Sequence, residues 1–190
     1  IANISADSEK ALNLIEVEMR SNTNGVTVHT HHKKNNWGNG GSGSVDYIVK
    51  VPKSASLKSI EMVNGSLQVE GVEGEVDVEM VNGSVSIEGL TRDSHVSSVN
   101  GSIDISYASA ASDLDEIELE TVNGRIKLTV PESMGLDVDV ENMHGSIKND
   151  MGLQMKKSGF IGKELTGIVG NGEVNVEIET VNGGVRIKTK

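Results

Sequence analysis

His29-Thr30-His31-His32 is the stretch whose side chains most resemble metal ligands. On an extended strand alternate residues face the same way, so His29 and His31 could share a divalent cation through neutral imidazole nitrogens. The spacing supplies no third donor. The cluster reads as a solvated strand end, and none of His29, His31 and His32 is assigned to a metal.

Carboxylates alternate in three runs: Glu73, Glu75, Asp77 and Glu79; Asp137, Asp139 and Glu141; Glu177 and Glu179. Stacked outward, such rows could collect Ca²⁺, which takes several oxygen ligands. The calcium-binding nonapeptide needs paired glycines and a fixed aspartate, which the nonapeptide of this chain lacks, so the runs read as a solvated acidic face. Polysaccharide cleavage by clustered acids needs a neighbouring base or cation and a groove built from long loops. Here the turns are short and Arg92 and Arg125 stand apart in the sequence. Asn64-Gly-Ser, Asn82-Gly-Ser and Asn100-Gly-Ser match the glycosylation sequon, but Asn-Gly is also ordinary turn chemistry. No phosphate-binding loop or Ser/His/Asp spacing stands out. The sequence therefore nominates no catalytic, cofactor-binding or metal-ligating residue, and no cofactor.

The 190 residues suit one domain of ordinary size, and with 22 glycines added to its 36% hydrophobic content the chain is a folding one. Trp37, Tyr47, Tyr107 and Phe160 are the whole aromatic complement, about 2%. That scarcity disfavours sugar subsites and single-stranded nucleic-acid platforms, which stack on rings. The net charge of −11 repels polyanions, so nucleic acid is not an expected partner. There is no cysteine, hence no disulfide and no thiol chemistry. No apolar run is long enough to span a membrane as a helix. A chain beginning at Ile1 is consistent with a leader or anchor already removed.

What must position any of these residues is a repeat. Val63-Asn-Gly-Ser recurs at Val81 and Val99, an 18-residue step each time. Val122-Asn-Gly follows after 23, Met143-His-Gly after 21 and Val181-Asn-Gly after 38. The last gap suggests a degenerate repeat or an inserted loop. Each 18-residue unit divides into two nonapeptides with apolar residues at places one, five and seven. Examples are Val72, Val76 and Val78, then Val81, Val85 and Ile87. Ser94 breaks the pattern in one copy. Alternation such as Val76-Asp-Val78 is the period-two signature of a strand with one buried face. The Asn-Gly pairs predict a turn between short strands.

An antiparallel meander and a β-solenoid both fit such units. The solenoid is preferred because the repeat is stronger over the double unit than over the single nonapeptide. Asparagine returns only in alternate units, as expected if like side chains stack in register and share amide hydrogen bonds. Places one, five and seven do not match a left-handed hexapeptide coil, so a right-handed one is expected. The sequence thus predicts an all-β chain, a single-stranded right-handed parallel β-helix with about 18–23-residue coils over positions 51–190. Residues 1–50 are expected to form a small N-terminal cap: a short helix over 8–14, strands over 14–20 and 26–30, and a flexible Gly/Asn-rich loop over 35–44. Residues 149–172 are expected to hold an irregular loop. Arg186, Lys188 and Lys190 on the last strand look like a defence against edge-to-edge pairing.

Thr121-Val-Asn-Gly-Arg-Ile-Lys-Leu-Thr-Val-Pro131, the serial Val-Asn-Gly-Ser units, and Gly167-Ile-Val-Gly-Asn-Gly172 followed by Thr180-Val-Asn-Gly-Gly-Val-Arg-Ile187 resemble a known family. It is the bacterial putative-adhesin β-strand-repeat family, a domain family of unknown function, and the likeness covers roughly residues 46–190, with Asp46–Pro52 as its lead-in strand. The resemblance implies a right-handed β-helix and an extracytoplasmic place in periplasm, cell surface or outer envelope. It implies a non-enzymatic binding or scaffold role toward an envelope, surface or protein partner, and supplies no catalytic residue. A carbohydrate-active β-helix enzyme is the alternative function, and self-association through the solenoid ends a further mode.

Overall fold

The computed structural model describes the chain except residues 24, 34–42, 110, 112 and 158–161, and it divides into two compact units, Ile1–Val51 and Pro52–Lys190. In the first, β1 (Ala2–Ala6) is followed by a one-turn helix α1 (Glu9–Leu12), β2 (Ile15–Asn22), β3 (Gly25–His32) and β4 (Gly43–Tyr47). The Ser8 hydroxyl caps α1 by accepting from the Ala11 N–H at 3.2 Å. β2 and β3 form an antiparallel hairpin, and β1 pairs antiparallel with β4. Of the loop expected over 35–44, residues 35–42 lie outside the described residues, as does Trp37, while Gly43 and Ser44 open β4 rather than close a loop.

The second unit runs β5 (Leu57–Glu70), β6 (Val76–Leu90), β7 (Ser94–Asn100), β8 (Ile103–Tyr107), β9 (Glu116–Val130), β10 (Leu136–Asn149), β11 (Met155–Lys157), β12 (Lys163–Val169) and β13 (Val174–Thr189). β5 pairs with β6, β6 with β7 and β8, and these two with β9, always parallel. Like residues meet like residues: Asn64 opposite Asn82, Asn82 opposite Asn100, Asn100 opposite Asn123. That parallel, in-register stack excludes the meander. The fold is all-β and solenoid-like, built on one large sheet whose parallel strands repeat at the sequence period.

Three local expectations are corrected. First, Asn-Gly at positions 64, 82, 123 and 182 is not a turn between short strands, and only at Asn100-Gly101, between β7 and β8, is the strand interrupted. In β6 it lies within one continuous 15-residue strand that bends there, and the true turns fall in the alternate nonapeptide, as at Gly71–Glu75. Second, place one is core only in the turn-bearing units. Val72 and Leu90 are buried, whereas Val63, Val81, Val99 and Val122 are exposed. Third, Ser94 sits at a core position without cost because its hydroxyl meets the Tyr107 hydroxyl at 2.7 Å, both side chains being buried.

The larger correction is topological. The strand order is β11-β12-β10-β13-β9-β7-β6-β5, so the last strand in sequence lies between β9 and β10. After β10 the chain forms an antiparallel hairpin, β11 with β12, and β12 pairs antiparallel with the first arm of β10. It then crosses at residues 170–173 and enters the gap as β13, parallel to both neighbours. The crossing is close: a Cβ at Gly135 would stand 1.6 Å from the Asn171 side-chain oxygen. The 38-residue gap therefore contains a strand exchange and not a decayed repeat, and the segment 149–172 holds β11 and β12 beside irregular stretches; Phe160 lies outside the described residues. Arg186, Lys188 and Lys190 belong to an interior strand and its end, so they guard no edge.

The core is aliphatic, filled by Val76, Val78, Ile87, Ile105, Ile117, Leu119, Val138, Val140, Val176 and Ile178 with their neighbours, all nearly inaccessible. Places five and seven of the nonapeptide supply most of it, with place one of the turn-bearing units, as at Val72 and Leu90.

Candidate functional site

The bend is where six rungs show the same face. In spatial order from β5 to β10 the glycines Gly65, Gly83, Gly101, Gly124, Gly183 and Gly145 stack on one another. A Cβ on Gly101, Gly183 or Gly145 would lie 1.5 Å from the carbonyl oxygen of the glycine one rung away. Backbones approach so closely there that no side chain fits. One residue earlier stands the asparagine ladder expected from the sequence. Asn82 Nδ2 donates to Asn64 Oδ1 at 3.0 Å, Asn100 to Asn82 at 3.0 Å, Asn123 to Asn100 at 2.9 Å and Asn182 to Asn123 at 3.0 Å. His144 takes the asparagine place on β10. Under the bend the inward row changes from Met62 and Met80 to Ser98, Thr121, Thr180 and Asn142, whose Nδ2 donates to the Gly183 carbonyl at 3.1 Å.

Outside the bend, two rows run side by side across the rungs. One is Val63, Val81, Val99, Val122, Val181 and Met143; all but the half-buried Val181 are between 40% and 65% exposed. The other is Glu61, Glu79, Ser97, Glu120, Glu179 and Glu141. Together they line an open groove of about 620 Å³. Alternation places each glutamate and the valine two residues later on the same outward face. None of the five carboxylates has an ion-pair or hydrogen-bond partner among the described residues.

Like charges in register leave an electrostatic mark. Partial burial, then the carboxylates of Glu120, Glu141, Glu177 and Glu118, hold the Glu179 carboxyl above its ordinary pKa. A carboxyl raised on folding penalises the native state once ionised: stability falls as pH rises from the unfolded to the folded value and stays lower above it. Glu179→Gln should therefore raise the melting temperature at pH 7 and change it little at pH 4, measured by circular dichroism at both values. A lower melting temperature at pH 7 would contradict the repulsion.

A second outward row, two residues earlier, reads Asp77, His95, Glu118, Glu177 and Asp139. His95 Nδ1 lies 2.7 Å from Glu118 Oε2. Desolvation depresses the imidazole's pKa, but the hydrogen bond and charge of Glu118, helped by Asp77 and Glu120, raise it further, and the net shift is upward. The pair thus contributes stability in full below the unfolded histidine's pKa and loses it as pH rises through the folded value. An NMR titration should place His95 above an unperturbed histidine and return it toward ordinary in Glu118→Gln. An unchanged midpoint would remove the pair.

The structure separates the residues singled out in the sequence. His29 lies opposite Glu18, and His31 opposite Glu16, on the exposed β2–β3 hairpin; His32 lies opposite Ile15 and so on the other face. His29 and His31 are 6.1 Å apart between ring centres. Glu18 is held by Arg20 at 2.7 Å and Glu16 by Lys33 at 2.9 Å, and among the described residues no three His, Cys, Asp or Glu are arranged to hold a metal ion. Of the acidic runs, Glu79, Glu141 and Glu179 join one row, Asp77, Asp139 and Glu177 the other, while Glu73 and Glu75 stay near the turn beside Lys53 and Lys58. Arg92 pairs with Asp113 at 2.8 Å. Glu61, Glu120 and the valine row were not singled out. The signal for them was present, since extending the Val-Asn-Gly unit two residues backward gives Glu-x-Val-Asn-Gly at four of the six rungs.

Among the described residues no helix is long and apolar enough to cross a membrane. No curated protein sequence matches the chain. In a comparison of folds it is similar to a crystal structure described as a "putative cell adhesion protein" from Clostridium sporogenes. The TM-score is 0.54 at 13% identity, covering 100% of this chain and 82% of the other. At that identity the likeness concerns the fold. Residues 59–188 match the Toastrack DUF4097 family, a domain family of unknown function. The span is well over half the chain and contains every rung of the bend, and it bears out the family resemblance seen in the repeats. The chain belongs to the Toastrack DUF4097 family.

Proposed function

We propose that this chain is a non-enzymatic, extracytoplasmic binding or scaffold module of the bacterial envelope, an adhesin-like solenoid. Its coils, on this reading, wind right-handed, the hand that parallel strand-to-strand crossovers take. The observation that carries the proposal is the bend, where six in-register rungs, four of them reading Glu-x-Val-Asn-Gly, set an acidic row beside an apolar one. Such a surface engages a partner along its length, whereas catalysis needs unlike groups converging on one point. Family membership and the fold neighbour's description as a cell adhesion protein support it. We assign no catalytic, cofactor-binding or metal-ligating residue.

The test is saturable cosedimentation of the purified chain with washed bacterial envelopes, run beside a reducing-end assay on neutral and acidic polysaccharides. Saturable retention without chain cleavage is expected. Turnover of any polysaccharide would replace this reading with that of a carbohydrate-active β-helix enzyme. Absence of retention would overturn the envelope association.

A further inference from the structure

We infer that the groove at the bend is a docking site for a basic amphipathic α-helix of roughly four to five turns, laid across the strands. The inference rests on the binding-module reading and names the chemistry of its partner. The valine row exposes a continuous apolar strip, and beside it run five carboxylates that among the described residues form no ion pair. A partner must therefore bring apolar side chains in one line and positive charge in a parallel line. That requirement excludes polyamines and simple cations, which cannot cover the valines, and nucleic acid, which carries the wrong charge.

A second copy of the chain does not fit either. Groove against groove would set the glutamate rows against each other. The in-register basic row of the repeat sheet, Lys127, Arg186 and Lys148, lies on the second arm. Lys127 is already held by Asp104 at 2.9 Å and Arg186 lies 3.7 Å from Asp150. No exposed large apolar side chain stands on the outward face of that arm among the described residues, so it cannot cover the valines.

Pitch selects the helix. Rungs repeat about every 4.8 Å. An α-helix repeats its face about every 5.4 Å, whereas an extended chain repeats a side about every 6.7 Å. Over the five steps between six rungs, roughly 24 Å, a helix of about 16 residues drifts by only about 3 Å. Its leucine-type side chains at i, i+3, i+4 and i+7 rest on the valines, and lysines or arginines on one flank reach Glu120, Glu179 and Glu141 on three adjacent rungs.

The probe is a fluorescein-labelled 18-residue leucine–lysine–alanine peptide with that pattern. The controls are a scramble of equal charge and a version with glutamate for lysine, all measured by anisotropy on the whole chain. The patterned peptide should bind saturably, gain helical circular dichroism on binding and weaken as salt rises from low to high. Glu120→Gln with Glu179→Gln should weaken it about fivefold, the scale of two partly screened ion pairs. Val122→Ser with Val181→Ser should weaken it at least as much, and Glu70→Gln with Glu88→Gln, which removes equal charge on the other arm, should leave it unchanged. A thermal melt of each variant beside the binding curve separates weaker binding from loss of folding. Equal binding of the scramble, no helix gain, insensitivity to the groove substitutions, or groove-dependent self-association in place of peptide binding would each overturn the helix. Envelope retention that survives such a result leaves the binding-module reading standing, and polysaccharide turnover removes that reading whatever the peptide does.

Discussion

Gly183→Ala should lower the melting temperature by roughly 8–16 °C, while Gly184→Ala, one residue away on the same strand, should leave it unchanged or raise it slightly. The two glycines differ in what a methyl group meets. At Gly183 it would lie 1.5 Å from the Gly124 carbonyl oxygen and 2.7 Å from its carbon, both backbone atoms of the neighbouring rung. Backbone cannot rotate aside as a side chain can, so β13 must shift away from β9. That shift strains the Asn182–Asn123 hydrogen bond and loosens the aliphatic layers on either side. Overpacking of this severity goes past the usual range of roughly 1–3 kcal/mol, to about 4 kcal/mol. At Gly184 the nearest atoms are the Ser146 oxygens at 3.5 Å and the Arg125 Cγ at 4.0 Å, ordinary contacts. Its row partners Ser66, Ser84, Ser102, Arg125 and Ser146 all carry a Cβ. There the restricted unfolded chain favours alanine by about 0.4–1 kcal/mol. Thermal melts of the two variants decide it. Equal effects would show that the glycine column is turn chemistry and not close approach.

That distinction marks where the sequence was informative and where it was not. The 18-residue period and the alternating aliphatic residues were enough for a stacked, all-β chain, because period two and in-register repetition are written residue by residue. Asparagine stacking was readable for the same reason. The cause of the glycine was not. Asn-Gly is the usual signature of a tight turn, and nothing local distinguishes that use from a bend where two backbones nearly touch. Ser94 looked like a defect because its partner, Tyr107, is 13 residues away and pairs with it only through the coil. The valine of Val-Asn-Gly looked like core because it is apolar; its exposure follows from parity at the bend, where the side chain shares the outward face of a glutamate two residues before.

Strand order was the least legible feature, for a reason inherent in repeats. Each rung presents nearly the same residues, so β10 and β13 are both plausible neighbours for β9, and local pattern cannot choose. The choice is made by a long-range element, the β11–β12 hairpin, whose second strand pairs with β10 on the side away from β13. With that edge of its first arm occupied, β10 takes its other partner from β13. The candidate groove inherits this arrangement: Glu120, Glu179 and Glu141 are consecutive in space only because β13 lies between β9 and β10.

Deleting residues 173–190 should therefore do far more than shorten the solenoid. In a simple stack the last coil contacts one neighbour, and its loss removes one interface. Here the deletion removes a strand bonded on both sides. It takes with it Val174, Val176, Ile178, Val185 and Ile187, each no more than 5% exposed. At about 1.5–3 kcal/mol for each fully buried side chain, roughly 7–15 kcal/mol of apolar burial is lost, comparable with the whole stability of a domain. The expected result is loss of the cooperative melt for residues 131–172, with rapid amide exchange and early proteolysis of β10 and β12, while β5–β9 retain protection in hydrogen exchange. Ile178→Ala tests the same strand with less disruption. Its side chain is fully buried, in register with Leu119 on one side and Val140 on the other. It should cost about 3–4 kcal/mol. One outcome would overturn the argument: β10 fully protected after the deletion. It would mean that β10 closes directly onto β9, rung for rung, and that the inserted strand is dispensable to the stack it now divides.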